Sequence, residues 1–183
     1  MKLIDQFNIC EDSAFERAHL LQLRTDERFK AQTHLVYVYE LATKEQAVNY
    51  PCGLGRVLYI GECCRRVVAS GARFGQHVSE SLTTGSDPGS NFALSQYYHR
   101  GTALVLTVYE VSDQERKSRE RDLLIWHLKT FGAPPIAQGA GGETYTIVAV
   151  RNHEAQVSSD VIDRHFRIEG MQLAVCRPGP SDS

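Results

Sequence analysis

Short runs of β-branched and aromatic residues alternate along this chain with longer stretches whose apolar positions recur at helical spacing. HLVYVYELA (34–42) is rich in Val and Tyr and lacks Gly and Pro, so it predicts a strand. Residues 43–55 contain N-Y-P-C-G-L-G, a cluster of turn formers that predicts a long loop. RVLYIGEC (56–63) resumes β character, and the two strands are expected to form a hairpin around that loop. TALVLTVYEV (102–111) is almost continuously apolar and predicts a strand buried on both faces. The clearest helix is SDQERKSRERDLLIWHLKTFG (112–132): Ser112 or Asp113 can cap it, Leu123, Leu124, Leu128 and Phe131 form its apolar stripe, and Gly132 with Pro134 and Pro135 ends it.

The remaining segments are read more coarsely. Residues 13–31, with Ser13 as a cap and Phe15, Leu20, Leu23 and Phe29 as apolar positions, predict one or two helices. Residues 65–82 predict a helix broken or preceded by the glycines at 71 and 75, and Asp-Pro-Gly marks a loop over 83–91. A short helix is expected at 94–99, a strand at 143–151, a short helix at 161–168 and a frayed tail at RPGPSDS. The fold class expected is α/β of the α+β kind, a small mixed or antiparallel sheet flanked by helices in a single domain. Its core spans 34–140, between a helical N-terminal appendage (1–33) and a C-terminal strand and helix extension (141–183).

Composition adds limits. With 183 residues, 42% hydrophobic and 23% charged, the chain has material for one sizeable core. A net charge of −2 and a pI near 6.4 exclude a protein that holds nucleic acid by bulk electrostatics, so any such contact is local. Two basic stretches could make it: Arg56, Arg65, Arg66 and Arg73, and Arg116, Lys117, Arg119 and Arg121. The first residues carry Asp5 and no apolar run long enough for a signal sequence or membrane span, which predicts a cytoplasmic location. The five cysteines form an odd set without C-x-x-C spacing and are expected to be reduced thiols. Adjacent Cys63 and Cys64 point to opposite sides of a strand and cannot easily share a metal.

Hydrolysis of a phosphodiester needs a proton acceptor for water, positive charge on the non-bridging oxygens and an anchor for a metal ion. The chain offers these in a suggestive order. LVYVYEL followed by VLYIGEC resembles the paired strands of the GIY-YIG nuclease superfamily, with Tyr37 at the first tyrosine and Tyr59, Ile60 and Gly61 matching the second triplet. Leu35 stands where that family usually has glycine, and Val36 replaces isoleucine. Downstream, Arg73 and His77 reproduce the family's Arg-x-x-x-His spacing, one helical turn that puts both side chains on one face. Glu120, followed by Leu123 and Leu124, fits the family's metal-binding glutamate and is preferred to Glu115 or Asp122. Gln138, after Pro134 and Pro135, stands where an asparagine usually closes the motif, and Arg66 is an alternative for the arginine position.

The resemblance implies a Mg²⁺- or Mn²⁺-dependent endonuclease. In it Tyr37 acts as or assists the general base, Arg73 neutralises the phosphate, His77 and Tyr59 hydrogen-bond the phosphate or order the water, and Glu120 fixes the metal. Arg66 and Gln138 are substrate-binding candidates. DNA is the expected partner, with restriction-type members of the family most similar and a homodimer as an option for double-strand cleavage. The alternative is a non-catalytic nucleic-acid-binding or interaction module that keeps the fold.

Overall fold

A computed structural model of the chain describes residues 1–10, 16–79, 91–138, 150 and 152–168. Four strands make its main sheet: β1 (Lys2–Ile9), β2 (Leu35–Leu41), β5 (Val57–Cys63) and β6 (Leu104–Glu110), in the spatial order β1-β6-β2-β5 with every pairing antiparallel. A separate two-stranded ribbon, β3 (Val48–Tyr50) and β4 (Gly53–Gly55), occupies the β2–β5 connection. The helices are α1 (Arg17–Gln22), α2 (Ala72–His77), α3 (Phe92–His99), α4 (Arg116–Phe131) and α5 (Ser159–His165), with two 3₁₀ turns at Leu23–Thr25 and Glu27–Phe29. Mixed helices and antiparallel strands make this an α+β fold, as the sequence predicts.

The two-residue periodicity of β2 decides what covers each face of the sheet. Leu35, Tyr37, Tyr39 and Leu41 point to one side, where Leu20, Leu23, Phe29, Phe74, Val78, Leu94 and Tyr98 from α1 to α3 and the 3₁₀ turns pack on them. Val36 and Val38 point to the other, against Leu123, Leu124 and Phe131 of α4, Tyr50 of the ribbon, and Val161 and Phe166 of the C-terminal helix region. β2 and all but the last residue of β6 are buried, and each fully buried aliphatic side chain stabilises the fold by about 1.5–3 kcal/mol. The result is three layers, with β5 at one edge of the sheet and β1 at the other.

Several expectations change here. Residues 2–9 are not part of a helical appendage: β1 pairs with β6 from Lys2↔Glu110 to Ile9↔Leu104 and buries Phe7 and Ile9 in the core. Between residues 16 and 31 the helical structure is one six-residue helix and two 3₁₀ turns, and Ser13 lies outside the described residues. The 43–55 segment contains the β3–β4 ribbon, held by the Tyr50 hydroxyl donating to Val57 O at 2.8 Å. Among the described residues of the 65–82 segment, 65–79, the helix is Ala72–His77. Helix α4 begins at Arg116 without a side-chain cap, while Gly132 closes it in the left-handed conformation at φ 77°. The helix expected at 161–168 is found at Ser159–His165. The 83–91 loop (but for Asn91), nearly all of the 143–151 strand and the tail lie outside the described residues. Cys10, Cys63 and Cys64 are free thiols as expected, but Cys52 is disulfide-bonded. Among the described residues no helix is long and apolar enough to cross a membrane.

Candidate active site at the β5 edge

The two motif strands face each other in the register the hairpin requires, with Tyr37 opposite Gly61 and Tyr39 opposite Tyr59. Gly61 is needed for that arrangement. A Cβ there would lie 2.6 Å from Tyr59 Cε1 and 2.7 Å from both Cζ and Oη of Tyr37, so the bare backbone lets the two phenols converge over it. Their ring centroids are 6.2 Å apart. Close approach of α1 and α2 sets the next part of the site: a Cβ on Gly75 would meet Leu21 Cδ2 at 2.5 Å, and one on Gly71 would meet Leu23 O at 2.2 Å. These glycines, which as helix formers are poor, are what lets α2 lie close enough to bring Arg73 and His77 to the tyrosines.

His77 is buried and sits between two phenols, with Nε2 3.4 Å from Tyr37 Oη and Nδ1 3.2 Å from Tyr39 Oη. One ring nitrogen donates and the other accepts. Burial, with the charges of Arg73 and Arg65 added, holds its pKa well below the usual histidine value, so the ring is neutral at pH 7. The positive charge of Arg73 acts on Tyr37, Tyr39 and Tyr59 and favours their ionised forms. Burial pushes all three tyrosines above the usual phenol range, Tyr37 and Tyr39 furthest. Tyr37 is 0% exposed. Tyr59 is the one phenol of the three that is only partly buried, and Arg73 and Tyr37 both oppose the upward shift that burial gives it. Tyr37, which the resemblance gives as a water-facing base, is thus enclosed, and Tyr59 is the phenol with access to water.

Glu120 belongs to the other layer. Helix α4 packs on the sheet face opposite Tyr37, but its first turns run beside the edge strand β5, where Arg116 forms an ion pair with Glu62. From there the charge of Glu120 acts on Tyr59, raising its pKa. Burial lifts Glu120 itself to about 7, against the pull of Arg116 and Lys117. The two acidic rivals are engaged elsewhere: exposed Glu115 binds Arg119 at 2.7 Å and Ser112, and Asp122 takes His153 at 2.6 Å. Among the described residues no group of three or more His, Cys, Asp and Glu gathers that could hold a metal.

Two expected substrate contacts fall differently. Arg66 is exposed on the loop after β5, whereas Arg65 turns inward to Gln76 and contributes its charge to His77. Gln138 is committed to the backbone: its Oε1 accepts from Ile60 N at 3.1 Å and its Nε2 donates to Ile60 O at 2.8 Å. With Ala137 N donating to Leu58 O at 2.8 Å, it extends the ladder on the outer side of β5. Sequence reading overlooked Tyr39 and named Arg65 only as part of a basic stretch. Tyr39 was detectable, since the alternation that places Tyr37 on one face places it there too.

Comparisons with protein-family models, with curated proteins and with solved structures find no match to this chain.

Proposed function

We propose that the protein is a metal-dependent endonuclease that hydrolyses phosphodiester bonds in DNA, with its centre at the β5 edge. The observation that supports this reading is the gathering of Tyr37, Tyr39 and Tyr59 around His77 and Gly61, where the charge of Arg73 acts on all three phenols and that of Glu120 on Tyr59. A guanidinium beside phenols and one carboxylate supplies the three requirements of the reaction. Arg73 pairs with the non-bridging oxygens of the scissile phosphate. Tyr59 orients the attacking water and accepts its proton in the ionised fraction, which the Arg73 charge favours and burial opposes. Neutral His77 keeps the Tyr37 and Tyr39 hydroxyls in place. Glu120, once ionised, offers an oxygen to Mg²⁺, and the ion when bound supplies positive charge at the leaving oxygen.

The basic groups around this edge, Arg65, Arg73, Arg116 and Lys117, give the local positive charge that an overall acidic chain needs to meet a polyanion. A second reading, a non-catalytic nucleic-acid-binding module with the same fold, draws support from the complete burial of Tyr37 and Tyr39. Incubation of the protein with supercoiled plasmid and Mg²⁺ separates the two. Nicking or linearisation by the wild type that chelation abolishes, and that Tyr59→Phe and Arg73→Ala each reduce by about 100-fold or more, supports the enzyme. Plasmid retardation without any cleavage leaves the binding module.

A further inference from the structure

The paired cysteines at the end of β5 differ sharply in surroundings. Cys63 is buried, its thiol donates to Ser70 O at 3.8 Å, and burial pushes it up to about 12, which makes it a poor nucleophile. The next residue turns to the opposite side, as strand alternation requires. Cys64 is partly exposed and its Sγ lies 3.9 Å from His34 Nε2, within hydrogen-bond reach for sulfur. On the far edge of the same ring, His34 Nδ1 lies 3.2 Å from Asp113 Oδ1. The carboxylate lies beside that nitrogen without being aligned as its hydrogen-bond acceptor.

Three chain segments make this group: the residue before β2, the residue after β5 and the turn after β6. The sheet register explains the meeting, because Leu35 pairs with both Cys63 and Glu110 and so draws the neighbouring residues of three strands to one end. The group is not a metal site. The two nitrogens of His34 face different partners on opposite edges of the ring, so thiol, imidazole and carboxylate cannot converge on one ion. The order thiol, imidazole, carboxylate is instead the one that turns a cysteine into a nucleophile: the base takes the thiol proton and the carboxylate steadies the imidazolium.

We infer that Cys64 is a base-activated thiol, with His34 as its proton acceptor, and that it is a site of two-electron oxidation by hydroperoxides. This does not depend on the nuclease reading. In the reaction, His34 Nε2 takes the proton of Cys64, and the thiolate sulfur attacks one oxygen of the hydroperoxide. An S–O bond forms as the O–O bond breaks. Sulfur loses two electrons and becomes a sulfenic acid, and the peroxide is reduced to an alcohol, or to water for hydrogen peroxide, which carries away the proton His34 received. Cys63, adjacent but buried on the other side, is not placed to resolve the product.

Site-resolved alkylation tests this. The intact protein is treated with limiting iodoacetamide at pH 7, and labelling of Cys64, Cys10 and Cys63 is followed by mass spectrometry in one digest. A parallel sample receives a short hydrogen peroxide pulse and a sulfenic-acid trap. Cys64 should label about tenfold faster than Cys10, and His34→Gln, which keeps a polar group but not a base, should slow Cys64 by about tenfold and leave Cys10 unchanged. Asp113→Asn, at an exposed position, should give a smaller slowing of Cys64 alone. Trapped sulfenic acid should appear at Cys64 and fall in both variants. Equal Cys64 rates in wild type and His34→Gln, or peroxide modification falling equally on Cys10, would overturn the inference. Labelling of Cys63 reports unfolding of a variant, in which case the wild-type ratio of Cys64 to Cys10 and the Asp113→Asn rate decide.

Discussion

Replacing Gly61 with alanine tests whether the fold and the site share one constraint. The added methyl would stand 2.6–2.7 Å from carbon and oxygen atoms of Tyr59 and Tyr37, whereas unstrained heavy atoms meet at about 3.5–4.0 Å. Something must move by about 1 Å. Tyr59 is partly exposed and can swing outward, but Tyr37 is packed edge-on against Phe74 with centroids 5.4 Å apart, and stands 5.4 Å from the His77 ring and 6.1 Å from Tyr39. A close-packed interior does not yield cheaply, and overpacking of this kind costs about 1–3 kcal/mol. Because Tyr37 is wholly enclosed, the cost should fall near the upper end, about 2–3 kcal/mol. Urea unfolding followed by circular dichroism measures it: with a slope of about 2 kcal/mol per molar, the midpoint should drop by about 1–1.5 M with the slope unchanged. Any cleavage activity should fall with it, since the same displacement parts Tyr59 from Arg73. A midpoint within about 0.2 M of wild type would show that Tyr37 is not held over Gly61 as described.

The other predictions concern charge and the sheet edge. Glu120 is raised by burial to about 7 from 4.5, so its folded form binds the proton more tightly and the chain loses stability as pH rises through that interval. Glu120→Gln should therefore match wild-type stability near pH 4.5 and exceed it by about 1–2 kcal/mol at pH 8 in metal-free buffer, once solvent screening of this incompletely buried group is allowed for. Mg²⁺ binding to the wild type should weaken below pH 7 by up to about tenfold per unit, read by calorimetry with a nucleotide present. His127 is lowered by burial to about 4, and its Nδ1 donates to Ala133 O at 2.7 Å. It remains neutral in the folded chain, so stability present above pH 6.5 is lost as pH falls toward 4, about 2 kcal/mol of it by pH 5, and a His127→Phe chain should lack that loss. Gln138→Ala removes two hydrogen bonds from Ile60 and should cost about 1–2 kcal/mol in denaturant while leaving plasmid affinity unchanged.

What the sequence disclosed was mostly local. The β2–β5 hairpin, β6 and α4 each carry their own periodicity and stop signals, and the Arg73–His77 spacing fits within a single turn, so all of them could be read from short windows. Strand β1 could not. KLIDQFNI has polar residues at four of its six exposed or half-buried positions and becomes a strand by pairing with residues about a hundred positions away. The same distance hid the polar network on the α4 side of the sheet. Glu40, only 2% exposed in a strand otherwise apolar or aromatic, is matched by Arg56 at 2.8 Å and by His165, whose Nε2 lies 2.7 Å from the Tyr109 hydroxyl. No window of β2 foretells a partner 125 residues on. In the site, type and spacing selected Tyr59, Arg73, His77 and Glu120. The choice between Arg65 and Arg66, and the use of Gln138 on the edge strand, depend on how a loop turns and where the segment after α4 lands. Those are settled by packing.

The most direct test of the account is single-turnover cleavage of a duplex in Mg²⁺ by wild type, Arg73→Ala, Glu120→Ala and the double variant, each first shown to unfold at a normal urea midpoint. If guanidinium and carboxylate serve one phosphate, each single change lowers the rate by about 100-fold or more and the double change is far less than the product of the two. Cleavage that persists in both single variants, or that falls in simple proportion when they are combined, would contradict a shared centre at the β5 edge.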